Sequence, residues 1–288
     1  MKSFSCFYSI AVAIIILSAA KSLTAGECRI LWIHPEQAPL SIAKGYGAGK
    51  GTIDRMEAFF AEQMKDCRHD YESGNYERIM RMIRKKNAAC SVPLYITPER
   101  EEFIAFSVPY QIVLSNALIV SGTSRVKLAS FLNRDGQIDL DALLDRGFRV
   151  GIAKGRVYRG IIDRTIAKYR NTPSIVEHDG PEEMIGSLIS MMAGGRIDAL
   201  VAYPMEAQYV ANGMKIEVYS LPVAGMDDFG LTSVGCSKTK EGMEIIQKLN
   251  TIILKHRTTP EFMSFTEQWL DPAALERHRT FTRQAFGR

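Results

Sequence analysis

Two rhythms of apolar residues alternate along this chain. Short apolar runs of strand length are followed by segments with apolar residues at helical spacing. Cys28-Arg-Ile-Leu-Trp-Ile-His34 reads as a first strand, followed by a loop with Pro35 and Pro39. A glycine-rich connection, Gly45 to Gly51, leads to a helix from about Thr52, with Ile53, Met56, Phe59, Phe60 and Met64 on one face. Asp54 lies near the positive end of that helix's dipole. Cys67 to Ser73 is a weak second strand, and Asn75 caps a helix whose apolar face is Ile79, Met82 and Ile83. Ala88 to Ile96 is apolar enough to be a strand buried on both faces, although Pro93 has no N–H to give a ladder.

The same alternation continues beyond a charged break. Ile112 to Val120 predicts an extended crossing segment, and helical material follows from Val126, over Ser130 to Arg134 and over Asp139 to Leu144. Phe148 to Tyr158 reads as a strand, a glycine turn and the opening of a helix through Ile161, Ile162 and Ile166. Ser174 to His178 is a short strand. A helix from Gly180 presents Met184, Leu188, Ile189, Met191 and Met192 to the core, and Gly194-Gly195 ends it. Strands over Arg196–Ala202, Lys215–Ser220 and Gly230–Cys236 follow, with a second crossing at Leu221-Pro-Val. Three helical patterns close the chain, over Glu241–Lys255, Pro260–Leu270 and Pro272–Phe286. Strands and helices alternating in this way predict an α/β fold.

The first residues fall outside that pattern. Lys2 precedes a compact apolar stretch, Ile10 to Leu17, and small residues follow, so a secretory leader cleaved after Ala25 is expected. An uncleaved anchor is the alternative, but no second stretch approaches the ~18–20 apolar residues of a membrane span. Glu27, directly before Cys28, argues against a lipoprotein signal. Without Lys2 and Lys21 the formal net charge falls from +4 to +2, which gives no reason to invoke nucleic acid. Export changes how the cysteines read. Cys6 leaves with the leader, and Cys28, Cys67, Cys90 and Cys236 remain. Four cysteines in an oxidising compartment suggest two disulfides, with three pairings open. Their spacing is not that of a zinc site, and none has a histidine in a recognisable catalytic arrangement.

The chemistry concentrates where the charged break begins. Thr97 is a plausible N-cap, Pro98 sits at the first helical position, and Arg100 falls in the first turn of a short helix just past a strand's carboxyl end. Ligands bind at such ends in open α/β sheets, and an arginine fork suits a carboxylate or phosphate. The alternative is surface pairing of Arg100 with Glu99, Glu101 or Glu102. A second basic corner, with Lys154, Arg156 and Tyr158, stands at a helix opening whose N–H groups would suit an anion; its alternative is a solvent-exposed turn. Arg78 is a further first-turn candidate. The glycines between Gly45 and Gly51 fit neither a Walker loop nor a dinucleotide fingerprint, and read as a flexible loop at the mouth of a cleft.

Thr97-Pro-Glu-Arg100 followed by Phe106-Ser-Val-Pro-Tyr110 resembles the periplasmic solute-binding proteins of the polar amino-acid transport type, family 3. Val150-Gly-Ile-Ala-Lys-Gly-Arg156 and Gly195-Arg-Ile-Asp-Ala199 extend the likeness, which runs from about Cys28 to Leu270. The resemblance implies a two-lobed type II binding-protein fold, with mostly parallel sheets flanked by helices and two crossing strands as a hinge. Its lobes are residues 26–119 with 222–288, and residues 120–221. It implies rotation near Asn116–Ser121 and Leu221–Gly225, and disulfides Cys28–Cys67 and Cys90–Cys236. Arg100 becomes the grip on a ligand carboxylate, with Thr97 and Tyr95 beside it and Trp32, Glu36 and Arg78 on the same lobe. Lys154, Arg156, Tyr158, Tyr203 and Glu206 face them from the other lobe. Asp198 is structural.

The chain departs from that family in its pocket. Amino-acid binders usually have small hydroxyl residues before the arginine, where this chain has Pro93 and Tyr95. They have Gly-Thr where this chain has Gly155-Arg156. Tyr203 falls near the usual ammonium-binding Asp, and Glu206 replaces that Asp only if the local turn brings it round. An acidic or aromatic solute therefore fits as well as an amino acid. The expected protein is a periplasmic, monomeric, non-enzymatic receptor without cofactor or metal, serving an ABC-type permease. A stand-alone sensor and a dehydratase-like enzyme, with His34 and Glu36 as its acid–base candidates, are the alternatives.

Overall fold

The computed structural model describes residues 28–178 and 184–287; the expected leader and the start of the helix at Gly180 lie outside them. Chain order gives the first lobe β1 (Arg29–His34), α1 (Thr52–Gln63), β2 (Arg68–Ser73), α2 (Tyr76–Lys85), β3 (Ala89–Leu94), α3 (Pro98–Glu101), β4 (Ile104–Phe106) and β5 (Gln111–Leu114). The chain then enters a second sheet with β6 (Ala117–Val120), α4 (Gly122–Leu128), α5 (Leu140–Asp145), β7 (Val150–Ala153), α6 (Gly160–Tyr169), β8 (Ile175–His178), α7 (Met184–Ala193), β9 (Ala199–Ala202), α8 (Pro204–Met214) and β10 (Tyr219–Pro222). It returns through β11 (Phe229–Ser237), α9 (Lys240–His256), α10 (Pro260–Glu267) and α11 (Pro272–Phe286).

The first sheet has the order β2-β1-β3-β11-β4, with β5 also on β11; the second has the order β10-β6-β9-β7-β8. β1 runs parallel to β2 and β3, while β11 returns antiparallel to β3, β4 and β5. In the second sheet β7 is parallel to β8 and β9, and β6 is antiparallel to β9 and β10. Each sheet buries its own apolar cluster. α1, α9 and α10 cover the first, with Phe60, Leu249 and Phe262 inside it, and α6 and α7 supply Ile162 and Leu188 to opposite faces of the second. Pro93 is tolerated in β3 because the pairing with β11 shifts register beside it, between Ser233 and Gly235.

Both disulfides form with the implied pairing. Cys28–Cys67 joins the starts of β1 and β2, and Cys90–Cys236 joins residues directly opposed across β3 and β11.

Several boundaries differ from the sequence reading. Ala117–Val120 is a strand buried and paired on both sides, so the first crossing is Ser115–Asn116, and the second sheet begins before residue 120. Leu221 and Pro222 belong to β10, which moves the second crossing to Val223–Asp228. The strand expected from Lys215 starts only at Tyr219, because Lys215 takes a left-handed conformation (φ 58°) that closes α8. α4 starts at Gly122, where Ser121 caps it, and the helical reading of Ser130–Arg134 shrinks to one turn because Asn133 Oδ1 accepts from the N–H groups of Asp135 and Gln137.

Candidate functional site

The first corner of the site is built from the end of β3. Thr97 Oγ1 accepts from Arg100 N (3.3 Å), and Pro98 fills the first helical position. The Arg100 side chain turns back, and its Nη1 donates to the Tyr95 carbonyl (2.8 Å). Among the described residues no carboxylate lies within ion-pair distance of Arg100, so the remaining edge of its fork is open. Tyr95 packs its ring against the bare backbone of Gly230 on β11, where a Cβ would approach to 2.6 Å.

The second corner, beyond β7, carries its own counter-charges. Arg156 donates twice to Glu206 at the start of α8, at 3.1 and 2.6 Å, between the rings of Tyr158 and Tyr203. Tyr158 is buried, and its hydroxyl accepts from Ala153 N (2.8 Å). The N–H groups read as an anion site are already occupied. Asp163 accepts from Tyr158 N (2.9 Å) and Arg159 N (2.8 Å), and α6 begins only at Gly160. Lys154 continues the pairing with β8 through its backbone and does not line the cleft.

Between the corners lies a cleft of about 400 Å³. Tyr95, Arg100, Arg156, Tyr203 and Glu206 line it together, joined by the Gln37–Leu40 loop, Tyr76 and Arg159. Burial first, and then the neighbouring Tyr203, push the Tyr95 hydroxyl up to about 12, with Arg159 acting against them. Burial raises Tyr76 as well, although Arg100 opposes it. Both phenols therefore stay protonated at neutral pH and can donate to an acceptor. At the rim, the ring of Tyr46 in the glycine-rich loop lies tilted against that of Tyr209 of α8, with centroids 5.8 Å apart, and the Tyr46 carbonyl accepts from the Tyr209 hydroxyl (3.1 Å).

Other expected site residues lie elsewhere. Trp32 is fully buried, because β1 turns it with Ile30 toward α1; its Nε1 donates to His69 (3.0 Å) and its ring stacks on Phe60. Glu36 accepts from Ser73 Oγ outside the cleft, and Arg78 is an exposed partner of Glu72 (2.9 Å). Thr97 serves the site only by holding Arg100. His34 turns to Glu57 (3.0 Å) inside the first lobe, and neither His34 nor Glu36 lines the cleft. Asp198 accepts from Arg149 N (2.8 Å). The sequence reading missed Arg159 and Tyr76, whose only signals were their places beside Gly160 and the capping Asn75.

Among the described residues no group of three His, Cys, Asp or Glu is placed to hold a metal, and no helix is long and apolar enough to cross a membrane.

Solved structures share this architecture. An ancestral cationic amino acid solute-binding protein superposes with a TM-score of 0.61 at 16% identity, over 85% of this chain and 96% of its own. The second substrate-binding domain of GlnP from Lactococcus lactis, in an open conformation, gives 0.61 at 15% identity, over 86% and 97%. The substrate-binding protein AbpA from Streptococcus pneumoniae, bound to L-arginine, gives 0.50 at 18% identity, over 84% and 94%. At these identities the likeness carries the fold alone. No curated protein matches the chain in sequence. The pattern of one family does match, from residue 30 to residue 272, and so takes in both sheets and both corners of the cleft. The chain belongs to the bacterial extracellular solute-binding proteins, family 3.

Proposed function

We propose that this protein captures a small carboxylate-bearing solute in the cleft between its lobes and presents it to a membrane permease or receptor. One observation carries the reading: the Arg100 guanidinium faces a tyrosine-lined cleft without a carboxylate of its own. An ionised group kept there without a counter-charge is stabilised by an anionic ligand, and the open edge of the fork matches a carboxylate. The work is binding rather than turnover. Glu206 is the cleft's one carboxylate among the described lining residues, and Arg156 holds both its oxygens. The acid–base candidates His34 and Glu36 face away.

Capture implies closure. The two sheets would rotate as bodies about Ser115–Asn116 and Val223–Asp228, since a ligand touching both lobes favours the closed state. The leader expected at residues 1–25 and the family's extracellular character support a periplasmic location for a monomeric receptor.

A thermal-shift screen of amino acids, dicarboxylates and aromatic acids tests this directly. A true ligand at ~100 times its Kd adds ~2.7 kcal/mol of stability. Arg100→Ala should then weaken that ligand's binding by roughly 1.5–3 kcal/mol, about ten- to a hundredfold, with an unchanged melting curve. Arg100→Lys should recover only part of the loss, because an ammonium lacks the two parallel donors. Unaltered affinity in Arg100→Ala would end the assignment.

A further inference from the structure

The cleft continues past Tyr95 and Tyr203. A second compartment of about 300 Å³ runs from there toward the crossings, and Tyr95, Val113, Arg159 and Tyr203 line both spaces. Arg159 therefore stands at the neck between them. Its backbone has φ 70° and ψ 166°, a region that is essentially glycine's own. One other described non-glycine residue has positive φ, Lys215, and it takes the ordinary left-handed helix cap. Asp163 holds Arg159 in this conformation by accepting its N–H and that of Tyr158. The guanidinium then lies over the Tyr95 ring of the opposite lobe, 5.8 Å from its centroid. Among the described residues no carboxylate is within ion-pair distance of it.

Tyr95 thus has one unpaired arginine bonded to its carbonyl and another over its ring, each from a different lobe. In the front space the only described carboxylate, Glu206, is occupied by Arg156, and in the rear compartment the one described carboxylate, Asp227, is outnumbered by Arg159 and Arg164. A zwitterion would neutralise one of these cations and bring its ammonium toward the other. A dianion satisfies both. The rear compartment is no dry packing defect, because buried Asn116 lines it with an Oδ1 that has no partner. Arg164 and Asp227, which also line it, carry opposite formal charges, so Arg159 leaves the compartment net positive.

Resting on the reading of Arg100 as a carboxylate clamp, we infer that the solute is a dicarboxylate whose second carboxylate is held by Arg159. Each lobe supplies one arginine, so only a ligand carrying both charges links the lobes through two charge-assisted forks.

Calorimetric titration of the mature protein with succinate, glutarate and adipate tests the inference, set against butyrate, valerate, hexanoate and L-glutamate. At least one dicarboxylate should bind ~10-fold or more tightly than its matched monocarboxylate. Arg159→Gly should abolish that preference by weakening dicarboxylates far more than their matched monocarboxylates, and should melt no lower than the parent, since glycine relieves the backbone. Arg100→Ala should weaken dicarboxylates and monocarboxylates together. The preference surviving in Arg159→Gly, or L-glutamate binding the parent more tightly than glutarate, would overturn the inference. If Arg100→Ala abolished amino-acid binding and no dicarboxylate were preferred, the clamp would stand and the dianion would fall. Every affinity unchanged in Arg100→Ala would remove both.

Discussion

The two corners of the cleft are built alike and end up electrically different. Each follows a strand end, turns into a helix and projects an arginine, Arg100 from the first lobe and Arg156 from the second. Three glutamates neighbour Arg100 in sequence, yet none of them reaches it. Arg156 has no acidic neighbour within five residues, yet Glu206, fifty residues on, holds it with both oxygens. Local charge count therefore predicts the wrong corner. What decides is which carboxylate the topology delivers, because two groups at contact distance in a partly dry cleft outweigh several exposed ones.

The largest effect expected from breaking the comparison lies in what holds the first corner still. Arg100 and Tyr95 follow β3, which Cys90–Cys236 staples to β11 across 146 residues of sequence, and among the described residues the second lobe has no disulfide. Replacing both cysteines by serine should cost roughly 4–5 kcal/mol of stability by loop closure, read from denaturant unfolding. Hydrogen exchange should rise in β3 and β11 while β7 and β9 keep their protection. Equal loss of protection in both sheets would mean that the corners are not held separately.

Next in size is the exchange of roles between the two arginines. Arg156→Ala leaves the largely buried Glu206 carboxylate without its partner, so about 1–3 kcal/mol of stability should be lost. Arg100→Ala should lose affinity instead and keep its melting temperature. A stable Arg156→Ala that no longer binds would assign the clamp to the second lobe. Glu206→Gln sharpens the same contrast. It keeps the side chain's size and removes the counter-charge, so affinity for an anionic solute should rise by roughly 1 kcal/mol, about fivefold. No gain would show that the Arg156 charge does not reach the ligand.

These contrasts also show what could be read from the sequence. The strand and helix rhythm, the caps at Asn75 and Thr97 and the Arg100 corner were legible because they are local: a side-chain oxygen three residues before an N–H. Trp32 was misjudged because a strand buried on both faces hides which side meets the cleft. Ala117–Val120 looked like a crossing because a doubly paired central strand and an apolar linker share one pattern. Arg159 was invisible for a different reason. Its reach depends on a backbone angle that arginine rarely adopts, and only Asp163, four residues on, explains it.

The smallest effect concerns His34, the histidine the sequence offered as an acid–base group. It is self-paired, as Arg156 is: Glu57, which is almost fully buried, takes its Nδ1 at 3.0 Å. The hydrogen bond to Glu57 raises the imidazole above its usual range; burial opposes this, and the charges of Glu57, Asp54 and Glu36 add to the rise. Burial likewise raises Glu57, with His34 acting against it. A histidine whose folded value is raised contributes stability that is fully present below about pH 6.5 and is lost as pH climbs through the folded value. His278, lowered by burial, contributes with the opposite sign below that pH, so parent and variant must be compared directly. Parent minus His34→Gln stability should therefore shrink from mildly acid to alkaline pH, by roughly 1 kcal/mol across the window. Denaturant titrations at several pH values would show the slope. A flat difference would mean that Glu57 does not hold the imidazole in solution, and His34 would then return as a group free to move a proton.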